Sequence, residues 1–292
     1  MVQNIESRLV KAIKRQAEKV VYYCSAENVS RDLAIHEIRK SFKRIRALLK
    51  FYPLTSDDSS QDYSAKISIL ARELSTARES FMNIRILEKI TAKKQVIPEK
   101  SLENLKLQLT EKNKVLVKEL LEGKRIFLEI QSLIYDIEGR LYDMILHSPV
   151  KIDIAGQIRI SFEKSYNLFS EVINTDYNPV MYHLLRKKMK VLWYQVDFEK
   201  YRQPRIFKLK SNELRKITDL LGDDHDSYVF QTELNSEAYG LNQEEREILI
   251  RELNRLKHLR LNRINTRLRK CFEESPEEFG ETLHSLYKVS QS

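Results

Sequence analysis

Ten stretches of this 292-residue sequence space their apolar residues three and four positions apart, the spacing of an amphipathic helix. They run approximately over 4–24, 31–52, 62–92, 98–146, 155–173, 179–201, 207–221, 223–239, 243–273 and 276–288. The breaks fall at residues that stop helices. Pro53, Pro98, Pro149, Pro179, Pro204 and Pro276 each sit at or near a joint, and the polar run TSDDSSQD (55–62) follows the first. A sheet-rich fold needs many tight turns, and six glycines with six prolines cannot supply them. No stretch alternates with period two, so the fold class expected is all-α.

Two of these helices resemble each other at an offset of 147 residues: IHEIRKSFKRIRALLKFY (35–52) and YHLLRKKMKVLWYQVDFE (182–199). His36 aligns with His183, Arg39 with Arg186, Lys40 with Lys187 and Lys43 with Lys190. The apolar positions align too: Ile35/Tyr182, Ile38/Leu185, Phe42/Met189, Ile45/Leu192 and Leu49/Val196. Agreement on both faces is the mark of an internal duplication. It predicts one domain over 1–292 made of two pseudo-symmetric helical bundles, 1–148 and 149–292, with a basic groove or pore between them.

The basic face is unusual. Residues 38–50 hold six Lys and Arg side chains and no acid, although like charges on neighbouring turns repel. The whole chain carries 51 basic and 42 acidic residues, an excess too small to matter unless it is clustered. A single such face is most simply a solvated surface. Two faces converging on one groove would instead attract a polyanion: nucleic acid, an acidic membrane surface or a phosphate polymer. Arg44, Arg46 and Lys50 flank the first face, and Arg215 and Lys216 precede a second landmark, LLGDDHD (220–226). There Gly222 is expected to end one helix, with Asp223 or Asp224 capping the next and His225 and Asp226 in its first turn. In the first half ARESFMNIRILEKI (77–90) takes the corresponding place, with Arg85 opposite His225.

Cys24 and Cys271 are too few for a disulfide framework and suit a reducing compartment. MVQNIESRLVKAIKR at the start has no apolar signal core, and no run is long enough to span a membrane. A cytoplasmic protein is expected.

His36-xx-Arg39-Lys40, its copy His183-xx-Arg186-Lys187, LLGDDHD and the segment KMKVLWYQVDF (188–198) together resemble the CHAD family, the conserved histidine α-helical domain. The likeness extends from about residue 4 to 288. The resemblance implies two pseudo-symmetric bundles around a basic cavity that binds inorganic polyphosphate, with some members associated with polyphosphate granules. Carried over, the binding residues are His36, Arg39, Lys40 and Lys43 with His183, Arg186, Lys187 and Lys190, joined by Arg85 and His225. No catalytic residue, metal or cofactor is expected. Three other chemistries compete. Phe51, Tyr52, Trp193 and Tyr194 could stack bases in an RNA-binding protein. His183, His225 and Asp226 could hold a metal in a phosphohydrolase, although the surrounding cations oppose it. The helix of residues 251–270, with Arg260, Arg263, Arg267 and Lys270 along one side, could dock a partner or meet an anion. Protonation of His36 and His183 by bound phosphate would make affinity rise as pH falls from 8 to 6.

Overall fold

A computed structural model describes residues 5–52, 59–92, 96–147, 152–202, 204–236 and 239–288. Among them are eleven α-helices and no strand: α1 (Ile5–Ser25), α2 (Arg31–Leu49), α3 (Ser59–Glu73), α4 (Ser75–Thr91), α5 (Glu99–Lys118), α6 (Ile126–His147), α7 (Ile154–Ile173), α8 (Pro179–Glu199), α9 (Pro204–Ser236), α10 (Gln243–Cys271) and α11 (Pro276–Lys288). The polar run at 55–62 lies partly outside these residues.

Local chemistry starts several of these helices. Ser30 accepts from the Leu33 N–H ahead of α2, and Asp153 accepts from Gly156 N–H ahead of α7. Asn178 caps α8, where Pro179 opens the helix with no N–H to leave unpaired. Asn242 and Glu245 bond reciprocally across the first turn of α10, as Ser275 and Glu278 do for α11.

Three boundaries differ from the sequence expectation. The stretch 62–92 divides at Leu74, where the carbonyl of Ala71 is taken by the Arg39 guanidinium and the Ser75 hydroxyl. The stretch 98–146 divides at a π turn, Glu119–Gly123, followed by Arg125 at a positive φ of 50°. In contrast, one continuous 33-residue helix, α9 (Pro204–Ser236), runs through the expected joint at 222, so Gly222 does not stop a helix and Asp223 and Asp224 cap nothing.

Ile35, Ile38, Phe42, Ile45 and Leu49 of α2 are buried as the periodicity implies, and so are Tyr182, Leu185, Met189, Leu192 and Val196 of α8. Both stripes enter one core with α1, α6 and α7. Each large apolar side chain buried there contributes about 1.5–3 kcal/mol. A second core joins Leu87 and Ile90 of α4 and Leu105 and Leu109 of α5 to Phe230 and Leu234 of α9 and Leu249 and Leu253 of α10. The chain's two halves therefore meet along α2 against α8 and α4 against α9. The Gln195 amide of α8 donates to the Ala47 carbonyl of α2 at 3.3 Å, in the buried seam between them. Cys24 and Cys271 are both free, and burial pushes their thiols up to about 12 and about 11.

Candidate polyanion-binding site

With the apolar stripes of α2 and α8 turned into the core, their basic faces turn toward one another and toward α4 and α9. Burial pushes the Lys43 ammonium well below its ordinary range, and Arg186, Arg39 and Lys190 push it further. Lys190, from the other half of the chain, is lowered to about 8 by burial, with Arg186 and Arg215 adding to the effect and Asp219 opposing it. Like charges this close raise the free energy of the empty protein and would be relieved by an anion.

The imidazoles behave in the same way. Burial and the charge of Arg78 lower His36 to about 4, and burial with His225 and Lys187 lowers His183 to about 3. The His183 and His225 rings are in contact, with centroids 4.0 Å apart and planes tilted by 35°. His225 Nδ1 lies 3.4 Å from Asp226 Oδ1. Burial opposes ionisation of Asp226, yet His225, Arg186 and Arg78 together hold its carboxyl below the usual range. Asp226 is thus the internal counter-charge of the cluster, well inside α9 rather than at its start.

The cluster contains buried polar atoms that make no hydrogen bond among the described residues. Arg186 Nε and His183 Nδ1 are buried without a hydrogen bond. A buried unsatisfied polar group costs about 1–3 kcal/mol, and a phosphate oxygen would satisfy either.

The sequence-assigned residues do not all come together. His36, Arg39, Lys43, His183, Arg186, Lys190 and His225 come together, with Lys40 and Lys187 at the more exposed margin. Lys40 there pairs with Glu37 at 3.0 Å. Arg44, Arg46 and Lys50 leave the cluster. Arg44 lies over the Tyr194 ring at 5.2 Å, Arg46 donates to Ser64 at 3.3 Å, and Lys50 lies near Lys164 and Lys188. Arg215 and Lys216 are exposed, beside Asp219 at 3.7 Å and Glu213 at 3.8 Å.

Arg85 is displaced. It is exposed and pairs with Glu88 on its own helix at 3.0 Å. Its expected place is taken by Arg78, which lies within electrostatic reach of His36, Arg39, Arg186 and Asp226. Sequence reasoning aligned Arg85 with His225 at an offset of 140, whereas the offset of 147 that relates α2 to α8 pairs Arg78–Glu79 with His225–Asp226. Glu79 lies near Arg39 and His225, and burial raises its carboxyl. Keeping one offset throughout would have found both residues.

The same offset explains Gly222. Arg39 donates to Ser75 Oγ at 2.8 Å, and Ser75 corresponds to Gly222 as Arg39 does to Arg186. A Cβ at Gly222 would meet Arg186 Nε at 3.4 Å and Nη2 at 3.5 Å, so the guanidinium packs directly on the helix backbone. Substituting Gly222→Ala creates only ordinary contact and should add about 0.5–1 kcal/mol of helix propensity, raising the melting temperature without loss of anion binding. Gly222→Leu must push Arg186 aside and should weaken binding; thermal melts and titrations of both variants check this.

His183, His225 and Asp226 do meet, with the two rings packed against each other at a tilt of 35°. Among the described residues no group of three or more His, Cys, Asp or Glu side chains is placed to hold a metal ion. Phe51, Tyr52, Trp193 and Tyr194 are all buried, none more than 7% exposed, which leaves no ring face for a base. On α10, Arg260 is buried 3.6 Å from Asp224 and Arg267 pairs with Glu213, so the expected outward basic stripe is divided. Among the described residues no helix is long and apolar enough to cross a membrane.

The sequence matches the family model of the CHAD domain over residues 11–235. No curated protein sequence matches it. Among solved structures, PptA from Streptomyces chartreusis superposes with a TM-score of 0.65 at 12% identity, over 92% of this chain and 99% of that one. The crystal structure of the CHAD domain from the plant Ricinus communis gives 0.58 at 17% identity, over 90% and 91% respectively. At these identities the likeness carries the fold alone.

Proposed function

From the premise that the chain belongs to the CHAD domain family, we propose that it binds inorganic polyphosphate, without chemistry, between α2, α4, α8 and α9. The observation that carries this reading is the mutual crowding of Lys43, Arg39, Arg186 and Lys190, drawn from two helices far apart in sequence, with Arg186 Nε left without an acceptor and Asp219 pairing with Lys190 at 3.3 Å. Arginine would fork onto phosphate oxygens, and lysine would act as a point charge. The lining suits holding a phosphate chain, since the cations of α2 and α8 outnumber the carboxylates Asp226 and Glu79 that share the cluster. The constant offset of 147 residues, now extended to Arg78–Glu79 and Ser75, supports an internal duplication with halves 1–148 and 149–292. The same reading places the protein in the cytoplasm, in association with polyphosphate granules.

A competition experiment tests the reading. Long-chain polyphosphate should displace single-stranded RNA of equal charge, and its own affinity should fall steeply with salt through counter-ion release. Equal or tighter RNA binding would overturn the reading in favour of a nucleic-acid protein.

The pH dependence should lie above neutrality. His36 at about 4 and His183 at about 3 are uncharged in the free protein from pH 6 to 8, so a gain in affinity over that range requires bound phosphate to lift them that far. Lys190, at about 8 in the free protein, is charged below that pH, and a bound anion raises it further. Affinity therefore falls as pH rises through 8, by up to about tenfold per unit for Lys190 until its bound-state pKa is reached, and the lowered Lys43 adds to the fall. Titrations at pH 7 and 9.5 check this, and Lys190→Arg, charged throughout, should flatten the profile.

A further inference from the structure

A second basic surface lies outside the cluster. α1, α2 and α8 enclose a groove of about 530 Å³ lined by Arg8, Lys11, Arg15, Lys19, Arg44 and Lys200. The carboxylate that lines it, Asp197, pairs with Lys200 at 2.7 Å, and the Arg8 of its wall reaches the fully buried Glu199 at 3.3 Å, which also accepts from the Tyr287 hydroxyl at 2.8 Å. Lys11, Arg15 and Lys19 are exposed and have no ion-pair partner among the described residues. Their spacing of four places them along one side of α1 over about 12 Å of helix. A row of like charges on one helix side is unfavourable unless an anion lies on it.

The groove adjoins the cluster. Arg44 lies over the Tyr194 ring at 5.2 Å, and the Tyr194 hydroxyl is within electrostatic reach of both Arg44 and Arg186. Tyr194 lines the groove and follows Lys190 by one helical turn on α8, so the groove continues the axis along which the cluster lies. Arg44 left the central cluster, and this groove is where it goes.

We propose that the groove is a second segment of one polymer track: a phosphate chain held by the central cluster continues past Tyr194 and lies along Lys11, Arg15 and Lys19. This rests on the polyphosphate reading and adds a length rule to it. Short chains fill the cluster alone, and long chains gain affinity from α1.

The test titrates tripolyphosphate and long-chain polyphosphate into wild type and a Lys11→Gln, Arg15→Gln, Lys19→Gln variant, whose three exposed positions leave the core untouched. The variant should lose about tenfold in affinity for the long chain, with a shallower salt dependence, and none for tripolyphosphate. Equal losses for both lengths, or none for either, would overturn the track while leaving the central site intact. Wild type that binds neither length overturns the polyphosphate reading, and the track with it. A parallel arm uses vesicles containing phosphatidylserine. If the variant loses vesicle binding but keeps its long-chain affinity, the groove faces an anionic lipid surface and the track is wrong.

Discussion

Replacing Lys43 by methionine is expected to raise the melting temperature of the free protein and to weaken polyphosphate binding about tenfold to a hundredfold. Lys43 is a half-buried ammonium crowded by Arg39, Arg186 and Lys190, with Asp226 as its compensating charge. Methionine keeps most of the side-chain volume and removes the repulsion, so the empty protein gains. A hydrogen bond from a charged group to phosphate is worth about 1.5–3 kcal/mol, and that contribution is lost from the complex. Opposite signs for stability and binding are the signature of a residue kept for a ligand, since functional sites trade stability for activity. Thermal melts and calorimetry on Lys43→Met and Lys43→Arg measure both quantities; the arginine variant should keep the binding. A fall in both quantities for Lys43→Met would mark Lys43 as a structural residue instead.

Asp226→Asn should act in the reverse sense. The carboxylate is held ionised by His225, Arg186 and Arg78, and it also offsets Arg39 and Lys43. Removing one partner of a fully buried pair costs about 3–5 kcal/mol. Asp226 retains 24% side-chain exposure, so about 2 kcal/mol is a better figure, a fall of roughly 4–8 °C in melting temperature. The same change removes the anion that competes with phosphate. The variant should therefore bind polyphosphate more tightly than wild type and recover its lost melting temperature when the polymer is added. Differential scanning fluorimetry with and without polyphosphate gives both results. A destabilised variant that polyphosphate fails to rescue would mean that Asp226 does not face the ligand.

The helices and the facing of α2 and α8 were legible because burial imposes a period on the sequence. Ile38, Phe42 and Ile45 mark one side of α2, and the cations left over must lie on the others. The aligned partners at 182–199 then identified the second face. The error at Arg85 came from following composition rather than register, since an arginine in a plausible segment was preferred to the one at the established offset. Gly222 misled for a different reason. A glycine followed by aspartates reads locally as a helix stop, but here its missing side chain admits Arg186 from another helix, a tertiary contact that no local signal carries. The break at Leu74 is likewise tertiary, because Arg39 takes the carbonyl that would have continued α3. Arg46, Lys50, Arg215 and Lys216 sit on helix flanks, where a rotation of a few tens of degrees decides which neighbour they meet. That rotation depends on the packing of α3 and α9 rather than on the residues themselves. The interior acids were underweighted because basic residues drew the inference. Asp226, expected in the first turn of a helix, proves to be a charge inside α9 that offsets Arg39 and Lys43.

Trp193 offers the most direct measurement. It is the single tryptophan of the chain, and the Lys190 ammonium lies over its ring at 4.4 Å. Titrating long-chain polyphosphate while following tryptophan emission and, in parallel, calorimetric heat reports where the polymer binds. The account predicts a saturable emission change with the same midpoint as the heat, shifted to higher concentration in Lys43→Met. Saturating heat with unchanged emission, at a midpoint that Lys43→Met leaves in place, would show that the polymer binds away from α2 and α8 and would contradict the account.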